Sequence, residues 1–192
     1  MPKIALIGSG SRFGKKFAFD LLSRTELAGQ TICFMDIYED HLRPVVQVAR
    51  KAVEVDDLEA NIESTLDRRE ALDGADYVVT SFAAKGPAYN GPVYGRDIFI
   101  PRKYGVDQAV ADTVGPGAIF RAFRAAPILL DVCRDMAELC PRAPLLNYVN
   151  PMAILTWIAN EASSIETVGL CHSVQHNSRQ LAKWLDVPYD EV

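Results

Sequence analysis

The sequence predicts an α/β fold of the Rossmann type, a doubly wound parallel sheet of about six strands with helices on both faces. Three observations carry that expectation. Short, wholly apolar runs alternate with helix-length segments along the whole chain, which is how a parallel sheet buried on both faces reads. A glycine-rich turn, GSGSRF over residues 8–13, separates the first apolar run from the first helical segment. An aspartate, Asp36, closes the second run, where dinucleotide-binding sheets place a ribose-binding carboxylate.

Each element has a local cause. KIALIG (3–8) is short and uniformly apolar, hence a buried strand, and residues 12–24 continue as a helix. TICFMDI (31–37) is the second strand, followed by a helix over 42–53. NIESTL (61–66) suits a weaker third strand, and the helical turn after it stops at the Asp73-Gly74 breaker. ADYVVTSF (75–82) is the fourth strand. From 83 to 112 glycine, proline and tyrosine recur without a period, so a long irregular connection is expected, of the kind that carries function. A long helix spans about 117–139, and PLLNYVN (144–150) is strand five. A helix follows over 152–162, ETVGL (166–170) is strand six, and a last helix lies near 175–185. Ligands of such sheets bind beyond the carboxyl ends of the strands. Two of those ends carry unusual residues, Asn147 with Asn150 and Cys171 with His172.

Bulk properties narrow the partners. A chain of 192 residues suits one domain, taken here as 1–192. Twenty basic residues against twenty-five acidic ones give a formal charge of −5, and no basic block occurs, which argues against a nucleic-acid partner. No apolar run approaches bilayer length and no signal-like segment opens the chain, so no membrane partner and a cytoplasmic location are expected. The cysteines do not read as a disulfide framework. Cys33 lies in a strand, and Cys133 and Cys140 fall on one helix as core residues. Cys171 stands apart, beside His172.

The glycine turn reads as a dinucleotide site. Gly8 permits the tight turn, and Gly10 lets backbone amides approach a pyrophosphate at the helix start. The candidate cofactor-binding residues are therefore Gly8, Gly10, Ser11, Arg12 and Phe13, with Asp36 for the ribose. The third glycine of the fingerprint is displaced, since Phe13 holds its place and Gly14 follows. A carboxylate at Asp36 accepts from both ribose hydroxyls and repels a 2′-phosphate, which favours NAD over NADP. The competing reading is a glycine-rich turn with a capping aspartate.

Three stretches carry a resemblance: IPRKYGVDQAVADTVGPGAIFRAFRAAPILLDVCRDMAELCP (100–141), LNYVNPM (146–152) and GLCHSVQ (169–175). Together they resemble glycoside hydrolase family 4, the NAD- and divalent-metal-dependent glycosidases distantly related to lactate and malate dehydrogenases. The similarity runs from residue 3 to about 187, and CHSVQ is similar to the alpha-galactosidase branch. The resemblance implies hydrolysis of an alpha-glycoside without the usual pair of carboxylates. In that family the sugar is oxidised transiently at C3, the C2 proton is removed, the aglycone leaves by elimination, and water adds back.

It further implies roles for particular residues. Cys171 matches the ligand of the divalent metal, taken as Mn2+, and His172 falls where some relatives have an acid residue, so it is the candidate catalytic proton donor. Asn150 matches the asparagine that touches substrate hydroxyls, and Asn147 is a second substrate-binding candidate. Family members are longer, so a second metal ligand, the C2 base, most of the pocket and a homo-oligomer interface are expected to lie beyond this stretch.

Without the resemblance, Cys171 reads as a buried thiol and His172 as a polar strand-end residue. His41 reads as solvated and His176 as a surface position. Arg121 and Arg124 either reach a ligand or pair with Asp131 or Glu138, and Asp112-Thr113 borders the site. Two other functions stay open, a malate- or lactate-type dehydrogenase and a non-catalytic NAD-binding module.

Overall fold

The computed structural model describes residues 1–84, 91–171 and 173–192, with Arg12 as backbone alone. Among these residues the strands are β1 Lys3–Ile7, β2 Gln30–Met35, β3 Ala60–Thr65, β4 Tyr77–Thr80, β5 Leu145–Asn147 and β6 Thr167–Gly169. They form one sheet in the order β3-β2-β1-β4-β5-β6, and every pairing is parallel. This is the doubly wound dinucleotide-binding order, with its crevice where the order reverses between β1 and β4. The connecting helices are α1 Arg12–Leu22, α2 Glu39–Val55, α3 Arg68–Leu72, α4 Pro92–Arg102, α5 Pro116–Leu139, α6 Met152–Ala162 and α7 Ser173–Leu185.

Strand alternation divides the apolar residues between two layers. Ala5, Ile7, Cys33, Met35, Val78 and Leu145 meet the buried sides of α3, α5 and α6. Ile4, Leu6, Ile32, Phe34 and Val79 meet α1 and α2 on the opposite face. Leu6, Ile32 and Phe34 are fully buried, and each such side chain contributes about 1.5–3 kcal/mol through burial. Helices therefore cover both faces, as the apolar runs predict.

Several boundaries differ from expectation. The stretch expected to be irregular contains α4. Its proline at the first turn suits a helix start. A second proline, Pro101, sits in its last turn, while Asp97 is buried and Phe99 and Ile100 are exposed. Such a helix shows no apolar period to read. Residues 85–90 of that stretch lie outside the described residues. Strand five is shorter than PLLNYVN because the Asn147 side chain, not a neighbouring strand, takes the Val149 N–H. Cys33, Cys133 and Cys140 are buried, as expected of core thiols.

Candidate active site

The turn after β1 is built from backbone in close contact. Gly8 has φ of 83°, and a Cβ there would stand 2.5 Å from the Phe82 Cα, so the residues after β4 lie directly on the turn. The Gly8 and Ser9 amides donate to the Met35 carbonyl at 2.9 and 3.0 Å, and the buried Ser9 Oγ donates to the same oxygen. At Gly10 a Cβ would come within 2.7 Å of His41 and 2.8 Å of Asp36. With only a hydrogen there, the Gly10 N–H donates to Asp36 Oδ2 at 2.9 Å. Asp36 Oδ1 accepts the Tyr38 N–H at 3.0 Å. The carboxylate is thus held half-buried beside the turn, and each oxygen keeps capacity for a further donor.

Ser11 caps α1, its Oγ accepting the Phe13 N–H at 3.3 Å. The same hydroxyl lies 3.2 Å from Ser81 Oγ, which donates to the Gly8 carbonyl at 3.2 Å. Gly14 takes the close approach that the fingerprint assigns to its third glycine, since a Cβ there would sit 1.7 Å from the Ser9 carbonyl oxygen. Displacing that contact by one residue leaves Phe13 at the rim, 40% exposed. Phe13 and Phe17 meet the Tyr148 ring at centroid distances of 6.3 and 5.0 Å. The Arg12 side chain lies outside the described part.

Beyond β5 the site is built from side chains. Asn147 is wholly buried. Its Oδ1 accepts from Val149 N–H at 3.0 Å and Thr80 Oγ1 at 3.1 Å, and its Nδ2 donates to the Val149 carbonyl at 3.3 Å. In this conformation it offers a ligand no surface. Asn150 precedes a cis peptide to Pro151. Its Nδ2 donates to Asp112 Oδ2 at 3.0 Å, and its carbonyl accepts from Arg121 Nε at 2.9 Å. Asp112 is thus a direct neighbour of Asn150.

Arg121 does not pair with Asp131 or Glu138, nor does Arg124. Arg121 is buried over the Tyr94 ring, and Arg124 pairs with the buried Asp97 of α4. Asp131 pairs with Arg134, and Glu138 with Arg69. Both acidic residues considered as partners on α5 are thus taken by others. Burial pushes the Tyr94 phenol above its ordinary value; Asp112 adds to that shift and Arg121 opposes it.

Cys171 follows β6. The Leu170 N–H donates to the Asn147 carbonyl at 2.9 Å, which sets the end of β6 beside that of β5. The Cys171 sulfur is half-buried and accepts the Ser173 N–H at 3.4 Å as α7 begins. Burial pushes the thiols of Cys33 and Cys140 up to about 11. Burial raises the Tyr148 phenol too, reinforced by Asp20 and by Cys171. His172 lies outside the described residues, and His41 and His176 are exposed. Among the described residues, no group of three or more His, Cys, Asp or Glu side chains could hold a metal. Cys171 and Asn150 do not complete a cation site by themselves, because a hard divalent ion wants about six ligands, mostly oxygen.

Reading along the chain missed Ser81, Phe82, Tyr148 and Tyr94. Ser81 and Phe82 were traceable, since they end the strand beside the switch point. Tyr94 was not, because its helix shows no apolar period.

A family model described as family 4 glycosyl hydrolase matches residues 3–187. The chain belongs to this family. It is 43% identical to an alpha-galactosidase of Rhizobium meliloti, covering 95% of this chain and 37% of the relative. It is 38% identical to an alpha-galactosidase of Bacillus subtilis, covering 100% of this chain and 44% of that protein. The 6-phospho-beta glucosidase of Thermotoga maritima, solved with NAD and glucose-6-phosphate, superposes with a TM-score of 0.80. There the identity is 25%, over 97% of this chain and 44% of the other. The chain thus spans less than half the length of each of these relatives, and the N-terminal part of family 4 glycosidases is what it corresponds to.

Proposed function

We infer that this chain is the NAD-binding domain of a family 4 glycosidase that hydrolyses an alpha-galactoside. The observation that carries this reading is the Asp36 carboxylate, pinned 2.9 Å from the Gly10 amide at the start of α1. A dinucleotide fits this turn. The amides at the start of α1 would hold its pyrophosphate, the bare Gly10 gives the backbone room to approach it, and Asp36 would accept from the ribose diol. The two alpha-galactosidase relatives support the choice of sugar.

When bound, NAD supplies a hydride acceptor for C3 of the sugar. The chain's own residues position that sugar. Asn150 faces its hydroxyls, and Asn147 acts by fixing the end of β5 from which Asn150 projects. His172 is the proposed proton donor to the leaving group. Cys171 is proposed as one ligand of a divalent cation, Mn2+, whose other ligands lie outside the described residues. No described helix is long and apolar enough to cross a membrane, and a cytoplasmic homo-oligomer is the proposed working form.

Calorimetric titration of NAD and NADP tests the reading. NAD is expected to bind the more tightly, and Asp36→Ala to lose about 1–3 kcal/mol of its binding. Equal affinity for the two cofactors overturns the assignment. Cleavage of a nitrophenyl alpha-galactoside that needs NAD and manganese, without net NADH release, is the expected activity of the intact enzyme.

A further inference from the structure

The two ends of the Asn150 side-chain amide have nearly the same shape and opposite chemistry. The NH2 donates and Oδ1 accepts, so what the residue offers a ligand depends on which way the amide is turned. Its neighbours settle that here. Asp112 Oδ2 stands 3.0 Å from Nδ2, and an ionised carboxylate can only accept. The NH2 group must therefore face Asp112, which turns Oδ1 the opposite way. Arg121 holds the same residue by its main chain, Nε donating to the Asn150 carbonyl at 2.9 Å. Arg121 is only 8% exposed, so it cannot swing into solvent.

The segment carrying Asp112 is itself fastened. Gln108 donates to the Asp97 carbonyl at 2.8 Å and accepts the Gly117 N–H at 2.8 Å, tying that segment to α4 and to the start of α5. The Asp97–Arg124 pair joins those two helices. Arg121 also lies over the Tyr94 ring, whose phenol feels Asp112, Arg121 and Asp97 together.

We propose that Asp112 is a positioning residue that turns the Asn150 amide so that only its oxygen meets the ligand. This rests on Asn150 being the sugar-contacting asparagine. Asn150 then recognises a hydrogen-bond donor, the hydroxyl of an uncharged sugar ring. A phosphate or carboxylate at that point would find an acceptor facing it and the Asp112 carboxylate behind.

The side-chain amide signals of the 192-residue chain in a 1H–15N correlation spectrum test this directly. The Asn150 NH2 pair is assigned by its loss in Asn150→Ala. In Asp112→Ala it is expected to move to the position of a solvent-exposed amide, and in Asp112→Asn part of the way. An unmoved pair in either variant overturns the proposal, and Asp112→Asn, of equal size, serves if the alanine variant does not fold. NAD titration of the same samples reports on the cofactor site separately, so failure there leaves the amide result standing.

Glycoside cleavage by the intact enzyme adds a coupling test. Asp112→Ala is expected to lower kcat/KM by roughly tenfold to a hundredfold, and to lower it no further once Asn150 is alanine. An undiminished loss in the Asn150→Ala background means that Asp112 acts by another route. If the wild-type enzyme cleaves no glycoside, the family reading of the activity falls, while the spectrum still decides how Asn150 is turned.

Discussion

On the β1–β2 side of the crevice the site is made of backbone, and the space is defined by side chains that are absent. Gly8, Gly10 and Gly14 each lie where a Cβ would strike a neighbour. On the β5–β6 side the site is made of side chains held by other side chains, as with Asn150 by Asp112 and Arg124 by Asp97. The first region fails when something is added and the second when something is removed. A glycine turn works over a few consecutive residues. The polar cluster joins residues 38 positions apart, as at Asn150 and Asp112.

The sharpest way to break this contrast is to add one methyl group to the turn. Gly14→Ala puts a carbon onto the Ser9 carbonyl, a backbone atom that no rotamer change can move aside. It is expected to lower the unfolding free energy by about 3 kcal/mol or more, measured by urea titration. A loss below about 1 kcal/mol would show that the turn relaxes, contrary to its close packing.

Removing a charge from the other region comes next. Arg124→Met leaves the Asp97 carboxylate buried without this partner. Arg124 is itself about a quarter exposed, so the expected loss is about 2–3 kcal/mol, below that of a fully enclosed pair. The same urea titration reads it, and the double variant with Asp97→Leu should regain part of the loss. No regain would mean that Arg124 contributes through packing alone.

The smallest expected stability change separates the two regions functionally. Cys171→Ser should leave NAD affinity within about 0.5 kcal/mol, because distant sites with no shared partner act independently. In the intact enzyme it should abolish tight manganese binding, read from the spin-resonance signal of the free ion. Unchanged manganese affinity removes Cys171 from the ligand set, and a large loss of NAD affinity would merge the two regions into one.

The same contrast explains what the sequence made legible. The six strands, their order of alternation with helices, and the glycine turn with Asp36 all come from short-range pattern. Residues within a few positions of one another decide them. Helix α4 was hidden because its buried residue is the polar Asp97, while Phe99 and Ile100 face outward. The pairing of Arg124 was missed for a related reason. Asp131 and Glu138 on the same helix were the candidates, but the partner comes from another helix. Asn147 carried the right signal, an amide at a strand end, yet sequence could not show that Thr80 and Val149 enclose it.

The sheet joins these regions into a single measuring frame. Phe82 lies on Gly8, Thr80 donates to Asn147, and the Asn147 carbonyl receives the Leu170 amide just before Cys171. From the end of β1 to that of β6 there are three strand spacings, roughly 14 Å when neighbouring strands lie about 4.8 Å apart. The hydrogen-bond spacing of the peptide group, common to every sheet, therefore fixes the separation between the strand ends that carry the glycine turn and the thiol. Changes in the side chains lining the crevice can alter what is recognised at either end while the span between them stays the same.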